Sequence, residues 1–365
     1  MKIALGHAPR ILITRADRMG DLILSTAVFP EIRKKFPKAY LAALTLLENR
    51  GILEGNPYLD EVILYDKKQK EKGFWGNLRF ARKLAEKKFD VVIHLHATNR
   101  MHQLGWLARI PFRIGWDRRA AWALTKSYPD VKREGKKHEA QYNFELFEML
   151  GISCPPKLET HFPVCASARK SLDMLCRQLR IPQDKAWVLL SPSASCPSKK
   201  WPAERFGYAA SQLNEKFPAV FVGVGTRGDR PLLETVAANT GAPFFDLSGR
   251  LSLGMLAAVI ERSALLISND SGPGHIASAL GTPVVSIFGR NQPGLSPARW
   301  KPLGEKAAIL WKDVGCQACL AHDCQIHFLC LDVITVSDVV QAAEKLLKVP
   351  GSAENQKRLA PSGKS

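Results

Sequence analysis

The chain has 365 residues, 46% hydrophobic and 24% charged, with a formal net charge of +18. That length favours two domains over one, and the composition excludes a disordered or fibrous chain. The opening "MKIALGHAPRILITR" lacks a long apolar core and a small-residue cleavage site, and no apolar run reaches the length of a membrane span, so a cytoplasmic protein is expected.

Residues 10–15, "RILITR", read as a buried strand, and "ADRMGD" as the turn after it. An apolar-faced helix is expected over 21–36, tolerating Pro30 near its middle. Strands follow at 39–46 and 61–66, then the polar run "KKQKEKG". Residues 78–88 predict a helix with charges at i, i+4 spacing, and 89–97 a strand. Strand and helix alternating at this spacing predict a parallel sheet covered on both faces. The first 150 residues carry 28 Lys and Arg against 17 Asp and Glu. Such an excess fits nucleic acid, an anionic membrane surface, a phosphorylated substrate, or simply a solvated basic face. Zinc-finger spacing, an RNA-recognition signature and aromatic residues interleaved with the basic runs are missing, so no nucleic-acid partner is expected.

Residues 151–185 are rich in Pro and polar residues with one short helix, consistent with a linker region. The pattern then restarts: strand 186–194, helix 203–217, strand 219–225, helix 230–241, a short strand in 242–249, helix 253–263, strand 264–270, helix 274–281 and strand 282–289. Gly281 followed by Pro283 is a helix stop and strand start. A last helix is expected over 336–348, and the tail 349–365 reads as disordered. The expected fold is α/β, with two doubly wound halves: 1–165, a linker region at 166–185, and 186–348. Ligands of such sheets bind at the C-terminal ends of strands.

Three stretches carry chemistry. In "ISNDSGPGH", Asp270 ends a strand and a helix begins near Gly274. Unpaired N–H groups at a helix start favour phosphate, and Gly272 and Gly274 let the backbone approach it. An acid beside phosphate suits sugar hydroxyls better; alternatively, Asp270 caps the helix and His275 is structural. In "SPSASCPSKKWPAERF", Lys199 could reach a diphosphate as a point charge, with Ser193 and Ser195 donating beside it, or it is a solvated lysine. In "RADRMGDLILSTA", Asp17, Arg18 and Asp21 occupy the first strand-to-helix turn. Asp21 near the helix start suits an N-cap, the plainer reading, and also a general base. A competing signal is "GVGTRG", in which Gly223, Gly225 and Gly228, with Asp246 further on, match a dinucleotide fingerprint. Arg230-Pro231 follows at once, and the unit is the second of its half, which counts against it.

Together, "RADRMGDLILSTA", "SKKWPAERF", "NDSGPGHIASALGTPVV" and a late "CQAC…C…C", in that order across about 9–348, resemble glycosyltransferase family 9, the ADP-heptose:lipopolysaccharide heptosyltransferases. The resemblance implies a GT-B fold: two Rossmann-like domains facing a central cleft, acceptor in the first, nucleotide-sugar in the second. It also implies inverting transfer from ADP-heptose to a phosphorylated lipopolysaccharide core at the inner membrane, without metal or other cofactor. Asp21 matches the family's catalytic base, and Lys199 the lysine on the donor phosphates, with Ser195 nearby. Asp270 matches the acid on the heptose, and Ser271, Gly272 and His275 the contacts beside it. Asp229 matches loosely an acid on the ribose, and Leu251 an apolar residue on the adenine. Ala194 departs from the pattern, standing where some members have a second hydroxyl. Arg113, Arg118 and Arg119 in "PFRIGWDRR", with Asp17 and Arg18, suit the anionic acceptor. Nucleotide-sugar 2-epimerases share this two-domain architecture and remain an alternative, as do a NAD-linked oxidoreductase and a non-catalytic binding protein.

Cys316, Cys319, Cys324 and Cys330 have the spacing C-x2-C-x4-C-x5-C. Four thiols this close could hold zinc tetrahedrally; reduced thiols stabilising a loop is the plainer expectation.

Overall fold

The computed structural model describes residues 3–316 and 319–348. It divides into two compact units, Met1–Pro163 and Val164–Ser365. The tail at 349–365 lies outside the described residues.

The first unit holds strands β1 (Arg10–Thr14), β2 (Tyr40–Leu46), β3 (Glu61–Tyr65), β4 (Val91–His94), β5 (Phe112–Trp116) and β6 (Lys126–Tyr128). They form one sheet in the order β3-β2-β1-β4-β5-β6, every pairing parallel. Ile11, Leu12 and Ile13 of β1 are all but fully buried, as expected of a central strand covered on both faces. One face packs Leu12, Leu44 and Val92 against Phe80, Leu84, Met101 and Leu104 from the helices Gly73–Glu86 and Asn99–Leu107.

The second unit repeats the plan. Its strands are β7 (Trp187–Ser191), β8 (Val220–Gly223), β9 (Phe244–Asp246), β10 (Leu265–Asn269), β11 (Val284–Ile287) and β12 (Ala307–Leu310). The order is β12-β11-β10-β7-β8-β9, again all parallel. Counted within each unit, both orders are 3-2-1-4-5-6. The order reverses between the first and fourth strands, β1 and β4 in one sheet and β7 and β10 in the other. The crevice beyond the C-terminal ends of those strands is where a doubly wound sheet takes its ligand.

Three local expectations are corrected. The helix expected over 21–36 is two helices, Met19–Ser25 and Val28–Lys35. Thr26 breaks it: its Oγ1 donates to the Ile23 carbonyl at 2.7 Å and accepts from the His161 amide at 2.8 Å. Pro30 thereby falls in the first turn of the second helix, where no intrahelical donor is missed. The strand at 89–97 shortens to four residues. The segment 166–185 opens with a helix, Ala166–Gln178, that belongs to the second unit. Arg169–Glu261 (2.7 Å) and Arg262–Asp173 (3.1 Å) pin it to the helix Leu253–Arg262. Among the described residues, no helix is long and apolar enough to cross a membrane.

Candidate active site

In the first unit, chemistry gathers where β1 ends. Arg15, the next residue, is buried and bonds three carboxylates. Its Nε donates to Asp17 Oδ1 (2.9 Å), Nη2 to Asp21 Oδ1 (2.7 Å) and Nη1 to Glu139 Oε1 (3.0 Å). Lys132 Nζ reaches the same Glu139 oxygen at 3.0 Å. His96, past the end of β4, places Nδ1 3.3 Å from Asp17 Oδ2. Asp21 is not an N-cap. Arg18 holds that position, and Asp21 sits in the first turn of Met19–Ser25.

Electrostatics here is set by burial. It pushes the Asp21 carboxyl up to about 6, with Asp17 repelling and Arg15 opposing the shift. Burial also raises Asp17, against the pull of Arg15. Burial beside Arg15 lowers His96 to about 4, so near neutral pH it is uncharged. Burial works against the Arg15 charge, but Asp17, Glu139 and Asp21 outweigh it and the guanidinium stays protonated. The result is one carboxylate, Asp21, ionised at neutral pH yet close to taking a proton.

In the second unit the corresponding place is the end of β7 and β10. Asn269, fully buried, clamps the loop after β7: its Oδ1 accepts from the Trp201 amide (3.1 Å) and its Nδ2 donates to the Pro192 carbonyl (2.6 Å). This holds the short turn Pro197–Lys199 against β10. Lys199 Nζ lies 2.7 Å from Asp270 Oδ2. Arg290 Nη2 reaches the same oxygen at 3.0 Å. Arg290 follows β11 in a left-handed backbone conformation, φ +66°. The preceding Gly289 is required, since a Cβ there would stand 2.6 Å from the Ser198 carbonyl oxygen. Helix Gly272–Leu280 starts two residues earlier than expected, because Ser271 is extended at its N-cap and Pro273 enters the first turn. Gly272, Gly274 and the buried His275 therefore all lie in that turn, which begins two residues after Asp270. Ser271 Oγ does not cap the helix but pairs with Ser268 Oγ at 3.0 Å.

The family model for glycosyltransferase family 9 (heptosyltransferase) matches residues 77–329. The chain belongs to this family. It is 25% identical over 343 residues to lipopolysaccharide heptosyltransferase 3 of Escherichia coli K12, covering 90% of this chain and 95% of that one. Among solved structures, a family 9 glycosyl transferase from Veillonella parvula is 26% identical with TM-score 0.85, over 95% of this chain and 99% of that one. E. coli ADP-heptose lps heptosyltransferase II shares the fold at 21% identity and TM-score 0.75, over 93% of this chain and 98% of that one. The two sheets are thus the Rossmann-like halves of a GT-B fold.

Other residues singled out in the sequence of this glycosyltransferase fall elsewhere. Arg113 lies near the N-terminal end of β5, the opposite end from Asp21, and its guanidinium holds the carbonyls of Ala123, Ile110 and Pro111. Arg118 and Arg119 are exposed beyond the C-terminal end of β5, and Arg118 lies 3.5 Å from Asp130. Arg18 and Ser195 are exposed, and Leu251 is half-buried. Asp229 Oδ2 accepts from the Thr226 amide (2.7 Å) and hydroxyl (2.6 Å), a lock on the N-terminus of the helix that follows. Two glycines of "GVGTRG" serve packing: a Cβ on Gly223 would strike Phe244 and Leu233, and one on Gly225 would strike Asp229. That unit follows β8, not the first strand of its sheet, where a dinucleotide fingerprint belongs.

The four late cysteines are free and half-buried, and with Ser198 and Arg290 they line a cavity of about 140 Å3. Cys330 Sγ accepts from the Arg290 amide at 3.4 Å, and Cys324 Sγ from the Phe328 amide at 3.2 Å. Among the described residues, no group of three or more His, Cys, Asp or Glu is arranged to hold a metal. Cys330 thereby supports the backbone that carries Arg290.

Sequence reasoning missed Arg15, Lys132, Glu139 and Arg290. Arg15 stood inside a quoted motif and could have been found as the first residue past a switch-point strand. The others carry no local signal.

Proposed function

We propose that this glycosyltransferase moves heptose from ADP-heptose to a phosphorylated lipopolysaccharide inner core. Asp17 and Asp21 serve the acceptor side in the first unit, and the second unit holds the donor. The observation that carries the reading is the joint hold of Lys199 and Arg290 on Asp270, at the switch point and beside a helix start. One acid and two cations leave a net positive charge where N–H groups also point outward, an arrangement that suits a sugar diphosphate. Asp270 takes the sugar hydroxyls, and Lys199, Arg290 and the helix start take the phosphate oxygens. Ser195, Ser271, Gly272, Gly274 and His275 complete the donor site, with Leu251 and Asp229 toward the nucleoside. The likeness to lipopolysaccharide heptosyltransferase 3 supports the choice of sugar and acceptor.

The acceptor hydroxyl gives its proton to Asp21 as its oxygen bonds the anomeric carbon from the face opposite the diphosphate. The anomeric carbon–oxygen bond to phosphate breaks, and ADP leaves with that electron pair. Inversion follows from the single displacement. Arg15 takes Asp21 Oδ1, so Oδ2 receives the proton. The sequence has no D-x-D pair, and the leaving diphosphate is neutralised by Lys199, Arg290 and the helix start. Such an enzyme works on the cytoplasmic face of the inner membrane.

The test is product formation from ADP-heptose and a phosphorylated inner-core acceptor, with UDP- and GDP-sugars as comparators. Acceptor-dependent ADP release with a transferred heptose is expected. Release of nucleotide without any acceptor would instead indicate an epimerase or hydrolase, and preference for UDP or GDP would overturn the donor.

A further inference from the structure

The first unit also carries a cluster of exposed aromatic and basic side chains to which the transfer step assigns no role. A groove of about 730 Å3 runs from Ala16 and Leu46, at the ends of β1 and β2, out between the helix Asn99–Leu107 and the start of Gly73–Glu86, where Phe74, Trp106, Trp122 and Lys67 line it. Phe74 and Trp75 are the most exposed large apolar side chains of the described residues, at 67% and 77%. Across the groove Trp122 is 64% exposed and packs edge-on against Trp106, ring centroids 5.4 Å apart. Lone exposed apolar residues are ordinary; a group of four aromatics is not.

The loop before Phe74 explains what the group faces. It reads Lys67-Lys68-Gln69-Lys70-Glu71-Lys72, and all four lysines are exposed. Glu71, the acid within the run, is turned inward: it is buried and its Oε2 accepts from the Asp66 amide at 2.7 Å. Asp66 Oδ1 in turn accepts from the amides of Lys68 (3.2 Å) and Gln69 (3.0 Å), and Tyr65 Oη donates to Asn77 Oδ1 at 2.7 Å. The loop is therefore built to show cations outward beside an aromatic tip, not a solvated tether. Cations beside Trp and Phe suit a surface that is anionic outside and apolar just beneath, since aromatic rings settle at the headgroup boundary while lysines meet the phosphates.

We infer that Phe74 and Trp75, flanked by Lys67, Lys70 and Lys72 and faced by Trp106 and Trp122, form a docking surface for an anionic phospholipid bilayer. This deepens the reading above, in which the acceptor is carried on a membrane lipid, and names the residues that would bring the enzyme to it. The docking itself needs neither donor nor acceptor.

The full chain is tested without any sugar substrate by sedimentation with vesicles of phosphatidylcholine alone and with about 30 mol% phosphatidylglycerol. Binding to the anionic vesicles is expected, at least roughly tenfold tighter than to the neutral ones and weakened by salt. Phe74→Ser with Trp75→Ser should lower it by roughly tenfold or more, and Lys67→Gln with Lys70→Gln and Lys72→Gln should remove most of the salt dependence. In the unsubstituted chain, brominated lipids should quench tryptophan fluorescence, a readout independent of any variant. Absence of binding, equal binding to both vesicles, or unchanged binding by the Phe74/Trp75 variant would each overturn the proposal. Because the vesicles carry no acceptor, failure here leaves the transfer reading standing, and failure of transfer leaves this one.

Discussion

Arg290 and Asp270 form a buried ion pair, Nη2 to Oδ2 at 3.0 Å, between residues 5% and 6% exposed. The partners come from adjacent parallel strands, Asp270 just past β10 and Arg290 three residues past β11. Because Lys199 also holds Asp270, removing the arginine should not leave the acid unpaired. Arg290→Met is therefore expected to keep the fold but lose one of two cations facing the donor. ADP affinity should fall by about 1.5–3 kcal/mol, the usual scale for a bond to a charged group. Calorimetric titration with ADP measures this, and unchanged affinity would leave Arg290 with a structural part only.

Lys199→Ala should cost about 2–3 kcal/mol of transition-state stabilisation, read as kcat/KM for the donor. Lys199→Arg should recover little, because a planar fork does not replace a point charge in the tight turn Pro197–Lys199. Full turnover by Lys199→Ala would remove the lysine from the mechanism.

Asp21→Asn should lower turnover by roughly 10²–10⁴-fold, the usual share of general-base catalysis. In the parent, the active form is the carboxylate, so kcat/KM should fall as pH drops through about 6. Stability should move the other way. Asp21 binds its proton more tightly folded (about 6) than at its ordinary 3.8, so ionising it opposes folding as pH rises between those values. The cost is on the order of 3 kcal/mol at most above pH 6. Asp21→Asn should thus melt no lower than the parent at pH 8. Normal transfer by this variant would refute the base assignment.

Glu139 positions Arg15 without reaching the reacting atoms. Its negative charge contributes to raising Asp21, so Glu139→Gln should shift the acid limb of the activity profile to lower pH. It should also cost about 2–3 kcal/mol of stability, since Arg15 and Lys132 lose a buried partner while Arg15 keeps Asp17 and Asp21. A loss of stability with an unmoved pH profile would separate the structural part from the electrostatic one.

What the sequence revealed and what it hid follow from the length scale of each signal. Asp270, Ser271 and the helix behind them were legible because a strand end, an acid and a Gly-Pro-Gly turn lie within a few residues. The doubly wound sheets were legible through strand–helix alternation. Arg290 was not, because only the parallel register of β10 and β11 brings it back to Asp270, 20 residues away. Glu139 meets Arg15 across 124 residues, by a route no local pattern records. Arg113 and Arg118 are close in sequence, yet the strand between them carries the two to opposite ends of the sheet. Apolar periodicity continues through Thr26 and so predicts a single helix over 21–36, while the break depends on the His161 amide, far along the chain.

The central position of β1 also sets a timetable for synthesis. β1 is made first, but one of its two neighbours, β4, begins only at Val91. Until that stretch leaves the ribosome, Ile11, Leu12 and Ile13 belong to a strand with one open edge, the kind of surface that other nascent chains can pair with. The sheet is complete once Tyr128 is out, before any of β7 has been made. Soluble yield should therefore be sensitive to translation speed between Thr14 and Val91 and to chaperones that shield the chain there. Pauses placed between Tyr128 and Trp187 should be harmless by comparison.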